Sequence, residues 1–340
     1  MDVSPLVWII TCLVILGLFI FDFFAHVRTP HAPSLKESGS WSAVYIALAL
    51  IFGGFVWWKW GGTSGTEYYA GFITEKALSV DNLFVFVIIM AKFAVPREYQ
   101  QKVLLLGIVM ALVMRGAFIA VGAAAINAYS WVFYLFGAFL IYTAVKLLRE
   151  SGHEEEVEEE RESRIQRFVK KALRTTDNYD RDKLFTKENG KRLATPMLMV
   201  LIVIGFTDVL FALDSIPAIY GLTEEPYIVF TANAFALMGL RQLYFLLGGL
   251  LDKLVFLSFG LSFILGFIGV KLVLHALHEN TLSFINGGEH VKVPEISTPL
   301  SLGVIVGTLV ITTIASLAKT RFDEGRADKQ AVSQKTDQKH

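Results

Sequence analysis

The sequence predicts an all-α fold: a polytopic transmembrane bundle of about nine spans, with three helices repeated in inverted orientation (spans three to five and six to eight). Three observations predict it. Hydrophobic residues fill 54% of the 340 positions and the mean hydropathy is +0.52, more apolar sequence in long runs than a soluble chain of this length carries. Those runs reach roughly the 20 residues that cross a bilayer core. Finally, two of them carry the same pattern of acids, Glu75-Lys-Ala-Leu-Ser-Val-Asp81-Asn82 and Asp208-Val-Leu-Phe-Ala-Leu-Asp214-Ser215.

The spans fall near 5–26, 41–60, 70–94, 103–126, 129–148, 196–219, 228–251, 254–277 and 299–318. Nothing basic precedes the first, Asp2 is acidic, Arg28 follows, and no small-x-small cleavage pattern appears. This favours an uncleaved helix with its N-terminus outside. The third span is the weakest, interrupted by Glu75, Lys76 and Asp81. Basic residues concentrate between Lys146 and Arg192 and in the tail, whereas 61–69, 127–128 and 220–227 have no Lys or Arg. The positive-inside rule then puts the C-terminus in the cytoplasm of a plasma-membrane protein, and nine spans agree in parity.

The chain accordingly divides into an N-terminal membrane half (1–149), a cytoplasmic loop (150–195), a C-terminal membrane half (196–319) and a polar tail expected to be disordered (320–340). Within the loop, the acidic run His153–Glu160 reads as a solvated surface. Ile165, Phe168, Val169 and Leu173 share a face of a short basic amphipathic helix suited to the inner leaflet, and protein partners would dock on this loop. Gly248, Gly249, Gly260, Gly266 and Gly269 read as close helix-packing positions.

The repeat extends beyond the acids. Met110-Ala-Leu-Val-Met-Arg115 is echoed by Phe235-Ala-Leu-Met-Gly-Leu-Arg241, and Lys146 by Lys271. Three spans is an odd number, so the second copy enters the membrane from the opposite side, and transporters built this way bind substrate between the repeats near the midplane.

Acids at that depth are expensive and face a cavity or a partner, which makes them candidate functional groups. Residues seven apart on a helix share a face, so Glu75 pairs with Asn82 and Asp208 with Ser215, while Asp81 and Asp214 are offset. Convergence of all four acids requires the motif helices to kink or unwind, and Pro217 supplies a reason in span six. The candidate metal ligands are Glu75, Asp81, Asp208 and Asp214, with Asn82 and Ser215 as neutral oxygens and Arg115, Arg241 and Lys271 as counter-ions. Oxygen ligands without Cys or His suit Mn, Mg or Ca, and a spare carboxylate can carry a proton. The competing reading is that the acids pair with the cations only to hold the bundle together. Asp22 and His26, at i and i+4, form a possible ligand pair at the cytoplasmic mouth, or a local interfacial hydrogen bond. His275, His278 and Glu279 cap the outer end of span eight. No Walker motif, nucleotide fingerprint or nucleophile elbow occurs, so no enzyme activity, cofactor or nucleic-acid partner is expected. The expected partners are a divalent cation and the bilayer.

On Glu75-Lys-Ala-Leu-Ser-Val-Asp-Asn-Leu-Phe-Val-Phe and Phe206-Thr-Asp-Val-Leu-Phe-Ala-Leu-Asp-Ser-Ile-Pro-Ala, the chain resembles the TerC family of integral membrane proteins. The resemblance implies a membrane exporter of Mn²⁺, carried as substrate, with Glu75, Asp81, Asp208 and Asp214 as its intramembrane acids. The alternative is a non-transporting scaffold in a metal or tellurite stress-response complex.

Overall fold

The computed structural model describes residues 1–28, 31–129, 131–150, 176, 179–188, 191–247, 255–280, 282 and 285–337. The acidic run and the amphipathic segment of the cytoplasmic loop lie outside them.

Helix α1 (Pro5–Asp22) starts at Ser4, whose hydroxyl accepts from the Val7 amide, with Pro5 at the first helical position where its missing N–H costs nothing. A π-turn, Phe23–Val27, ends it. Helix α2 (Leu35–Trp60) opens with a reciprocal capping box between Ser34 and Glu37. Then follow α3 (Gly62–Lys92), α4 (Arg97–Ala128) and α5 (Val132–Glu150). The second half comprises α6 (Pro196–Tyr220), α7 (Pro226–Leu237), α8 (Leu240–Leu247), α9 (Leu257–His278) and α10 (Thr298–Asp337).

Among the described residues eight helical stretches are long and apolar enough to cross a membrane, α7 and α8 counting as one. Helix α3 has the length, at 31 residues, and its motif charges keep it from that group. It is nevertheless central, packed against α2, α6, α7 and α10. The fold is therefore an all-α polytopic bundle. Leu13, Ile51, Trp58, Val113, Phe263 and Ile311 point outward, a surface that only a lipid environment makes favourable.

Three features depart from expectation. Residues 185–188 and 191–194 form an antiparallel hairpin before α6. The segment just before it holds to α4 and the turn that precedes α4, where the Tyr179 hydroxyl donates to the Phe93 carbonyl (2.8 Å) and Lys102 pairs with Asp182 (2.6 Å). The polar tail, expected to be disordered, continues α10 to Asp337, consistent with its Ala, Arg, Lys and Gln content. The motif helices do not unwind. Helix α6 runs unbroken through Pro217, which sits in its last turn near the helix end, and α3 is equally continuous.

The break comes one span later, at Met238–Gly239, between α7 and α8. Gly239 has φ +79°, and a Cβ there would stand 3.0 Å from the Tyr45 Cβ, so the left-handed turn and the close neighbour both favour glycine. Glycine also sets the closest helix crossing. On α5, a Cβ at Gly137 would meet the Gly269 carbonyl of α9 at 2.8 Å, and the reverse distance is 2.9 Å.

Candidate functional site

Helices α3 and α6 bring the two motifs to opposite sides of Arg115, which projects from α4. Its guanidinium is fully buried. Nε and Nη2 donate to the two oxygens of Asp208 (3.2 and 3.1 Å), and Nη1 donates to Glu75 Oε1 and to Ser215 Oγ (3.2 Å). The geometry follows from the spacing, since Asp208 and Ser215 are seven apart and present one face to α4. Three formal charges, one positive and two negative, lie in an environment that water does not reach. Charges of this kind persist only when paired and hydrogen-bonded. Glu75 is not fully satisfied. Its Oε2 has no hydrogen-bond partner, and neither do Thr74 Oγ1, Ser79 Oγ, or Asn233 Oδ1 and Nδ2, all buried.

The other predicted ligands are distributed differently. Asn82 is buried on the Glu75 side of α3. Asp81 lies in the same helix, and its side chain falls outside the described atoms. Asp214 is turned toward α5, where Thr143 donates to it at 2.9 Å. Among the described residues no three His, Cys, Asp or Glu side chains stand close enough together to hold a metal ion. What the structure assembles is one arginine between two acids.

Arg241 does not join that cluster. It is displaced beyond the helix break, where Nη2 donates to Asp22 Oδ1 (2.7 Å) and Nη1 to Gln101. Asp22 Oδ1 also accepts from Tyr45 (2.8 Å) and Gln242 (3.2 Å), and His26 Nδ1 lies 3.2 Å away. Asp22 and His26 thus belong to a buried knot that ties α1 to α2, α4 and α8. Lys76, beside Glu75, reaches across to the broken helix and donates to the carbonyls of Ala236 (3.0 Å) and Met238 (3.5 Å). It occupies acceptors that the interrupted helix leaves without amide partners. The anchoring roles of Lys76 and Gln101, and the buried amide of Asn233, were not legible. Asn233 offered one signal, a lone amide in the apolar run Thr231–Leu237.

Lys271 lines a cavity of about 520 Å³ with Glu67, Glu224, His275, Glu295 and Thr298. There His275 Nε2 stands 3.0 Å from Glu224 Oε1, and His278 lies 3.6 Å from Glu295. The hydrogen bond from His275 holds the Glu224 carboxyl below the usual carboxylate range, against the opposing effect of burial.

The family profile described as "Integral membrane protein TerC family" matches residues 60–324. An uncharacterized membrane protein of Mycobacterium tuberculosis is 51% identical over 328 residues, 96% of this chain and 82% of the relative. One from Myxococcus xanthus is 40% identical over 318 residues, 94% of each chain. A candidate membrane-bound redox modulator, Alx, of Escherichia coli O157:H7 is 36% identical over 338 residues, 97% of this chain and 98% of the relative. No solved structure matches the chain. The length and strength of these matches, together with the duplicated acidic motif on α3 and α6, place the chain in the integral membrane protein TerC family.

Proposed function

We propose that the chain is a secondary transporter of the plasma membrane that exports a divalent cation, Mn²⁺, from the cytoplasm. The observation that carries this reading is Arg115, a fully buried cation held by one acid from each motif. The guanidinium is an internal counter-ion for the metal-free form. A divalent ion has to displace it and take over Glu75 and Asp208, with Asp81, Asp214, Asn82 and Ser215 as further oxygens. Swapping a bound arginine for a doubly charged ion raises the local charge by one. That favours release of a proton from a neighbouring carboxylic acid, the chemical basis for proton coupling.

The inverted repeat is part of the proposal. Packing of α3 on α7 is matched by packing of α4 on α6, and α5 packs on α9, the pattern expected if the two triplets exchange. The Gly137–Gly269 crossing has its counterpart under that exchange at Ser262 and Ala144, where the Ser262 hydroxyl donates to the Ala144 carbonyl at 2.7 Å.

The scaffold reading is favoured by one observation, the pairing of Arg115 with both of its acids. The two readings separate on Arg115→Gln. A transporter variant lacking the internal cation loses metal-free thermal stability and regains it when Mn²⁺ is added, because the metal replaces the missing charge. A scaffold loses stability and Mn²⁺ restores nothing. Wild-type proteoliposomes should also accumulate Mn²⁺, and Asp208→Asn and Asp214→Asn proteoliposomes should not. A redox role of the kind named for the Alx relatives would need more than an intrachain dithiol, since Cys12 is the only cysteine.

A further inference from the structure

Helices α3 and α7 run side by side. A Cβ on Gly71 would touch the Ala232 Cβ at 3.4 Å, and five residues further along α3 Lys76 reaches the Ala236 carbonyl at 3.0 Å. Between these two contacts lie Thr74 and Glu75 on α3 and Asn233 on α7. Asn233 is 0% exposed, and neither its oxygen nor its nitrogen has a hydrogen-bond partner. On the helix packed against it, Thr74 Oγ1 and Glu75 Oε2 are likewise buried without partners, as is Ser79 Oγ one turn beyond Glu75.

A single unsatisfied buried amide is rare, because each group loses its water and gains nothing. Several on two packed helices, one of them the free oxygen of a carboxylate that Arg115 engages through the other oxygen only, offer a set of oxygens to a guest. The set holds one carboxylate, two hydroxyls and one amide carbonyl. That is a hard, weakly charged donor set, suited to a partly dehydrated divalent cation rather than to a soft metal.

We infer that Asn233 is a ligand of the transported cation: Oδ1 binds the ion and Nδ2 donates to a water the ion keeps, with Glu75 Oε2 and Ser79 Oγ completing that side of the site. This deepens the transporter reading and rests on it. It extends the binding position from the acids to the α3–α7 side of Glu75. It also assigns selectivity to a neutral residue, since an amide oxygen discriminates by size and hydration while leaving the charge unchanged.

The test is direct Mn²⁺ binding by the full chain in detergent, read as loss of the free-ion signal in electron paramagnetic resonance, alongside metal-free thermal unfolding. Asn233→Leu, nearly the same shape without polar atoms, is expected to weaken Mn²⁺ binding about tenfold while leaving metal-free stability equal or higher. Asn233→Asp keeps an oxygen in place and should bind at least as tightly as wild type. Asn233→Leu binding like wild type overturns the proposal. So does a large loss of metal-free stability in Asn233→Leu with unchanged affinity, which would mark the amide as the anchor of a buried structural water. Should Asn233→Leu fail to accumulate, Asn233→Asp decides, because binding more than tenfold weaker than wild type excludes an oxygen ligand at this position. A wild type that binds no Mn²⁺ at all overturns both this inference and the transporter reading. Failure of the Leu variant to differ overturns this inference alone.

Discussion

At the scale of single residues, the acids and Arg115 have to be considered as one object. Removing either acid leaves Arg115 short of a counter-charge in a place water does not reach, which costs roughly 3–5 kcal/mol. Asp208→Asn is therefore expected to lower metal-free stability by about that amount, measured by thermal or denaturant unfolding in detergent, and to abolish the stabilising response to Mn²⁺. A response of wild-type size in that variant would favour the scaffold. The spacing of the acids was fully legible, because seven residues on a helix return to one face whatever the surroundings. The partner of each acid was not. Asp22 looked like a local interfacial pair with His26, yet the Arg241 it binds is 219 residues away, and one sequence carries no information on which helices face each other.

At the scale of elements, the informative one is the interrupted span, α7 and α8. The sequence pointed to Pro217 as the breaker. However, a proline in the last turn disturbs little that the helix end has not already given up, whereas Gly239 takes a left-handed turn where Tyr45 of α2 crosses closely. Lys76→Met should leave the Ala236 and Met238 carbonyls without their donor. We expect amide exchange across 236–243 to rise about tenfold, the size of one charged hydrogen bond, with Lys76→Arg recovering most of it. Unchanged exchange would show that the break holds itself. The segment that precedes the hairpin gives a pH-dependent case. The hydrogen bond from Lys102 lowers the Asp182 carboxyl below its ordinary value. A depressed carboxylate contributes stability above the unfolded pKa of about 3.9, and that contribution is lost as pH falls through the lower folded value. Asp182→Asn should therefore loosen residues 179–194 in hydrogen exchange at pH 7, with an effect that shrinks as the pH is lowered below the unfolded value. An effect independent of pH would rule out the charge.

At the scale of the whole molecule, the polytopic all-α class was legible because hydropathy is a sum over many residues, and the one weak span was weak for the reason that makes it central. The hairpin was not legible, since four-residue strands lie below any periodicity. Reporter fusions at residue 170 and at the C-terminus should both report cytoplasm, and opposite signs would overturn the proposed inverted repeat. The helices also differ greatly in length. At about 1.5 Å per residue the 31 residues of α3 extend about 46 Å, while the 19 residues of α5 extend about 28 Å, against a hydrocarbon core of about 30 Å. The short helix has no slack, and the long one must lean or protrude. Lipid thickness then acts on the two differently: thicker bilayers draw α3 upright, while α5 can only pull the lipid in around it. Since α3 carries Glu75, its lean sets the angle at which that carboxylate meets α6 and α7. Transport measured in phosphatidylcholines of increasing acyl length should pass through an optimum and fall away on either side, which would make the host membrane's acyl composition a control on the rate of metal export.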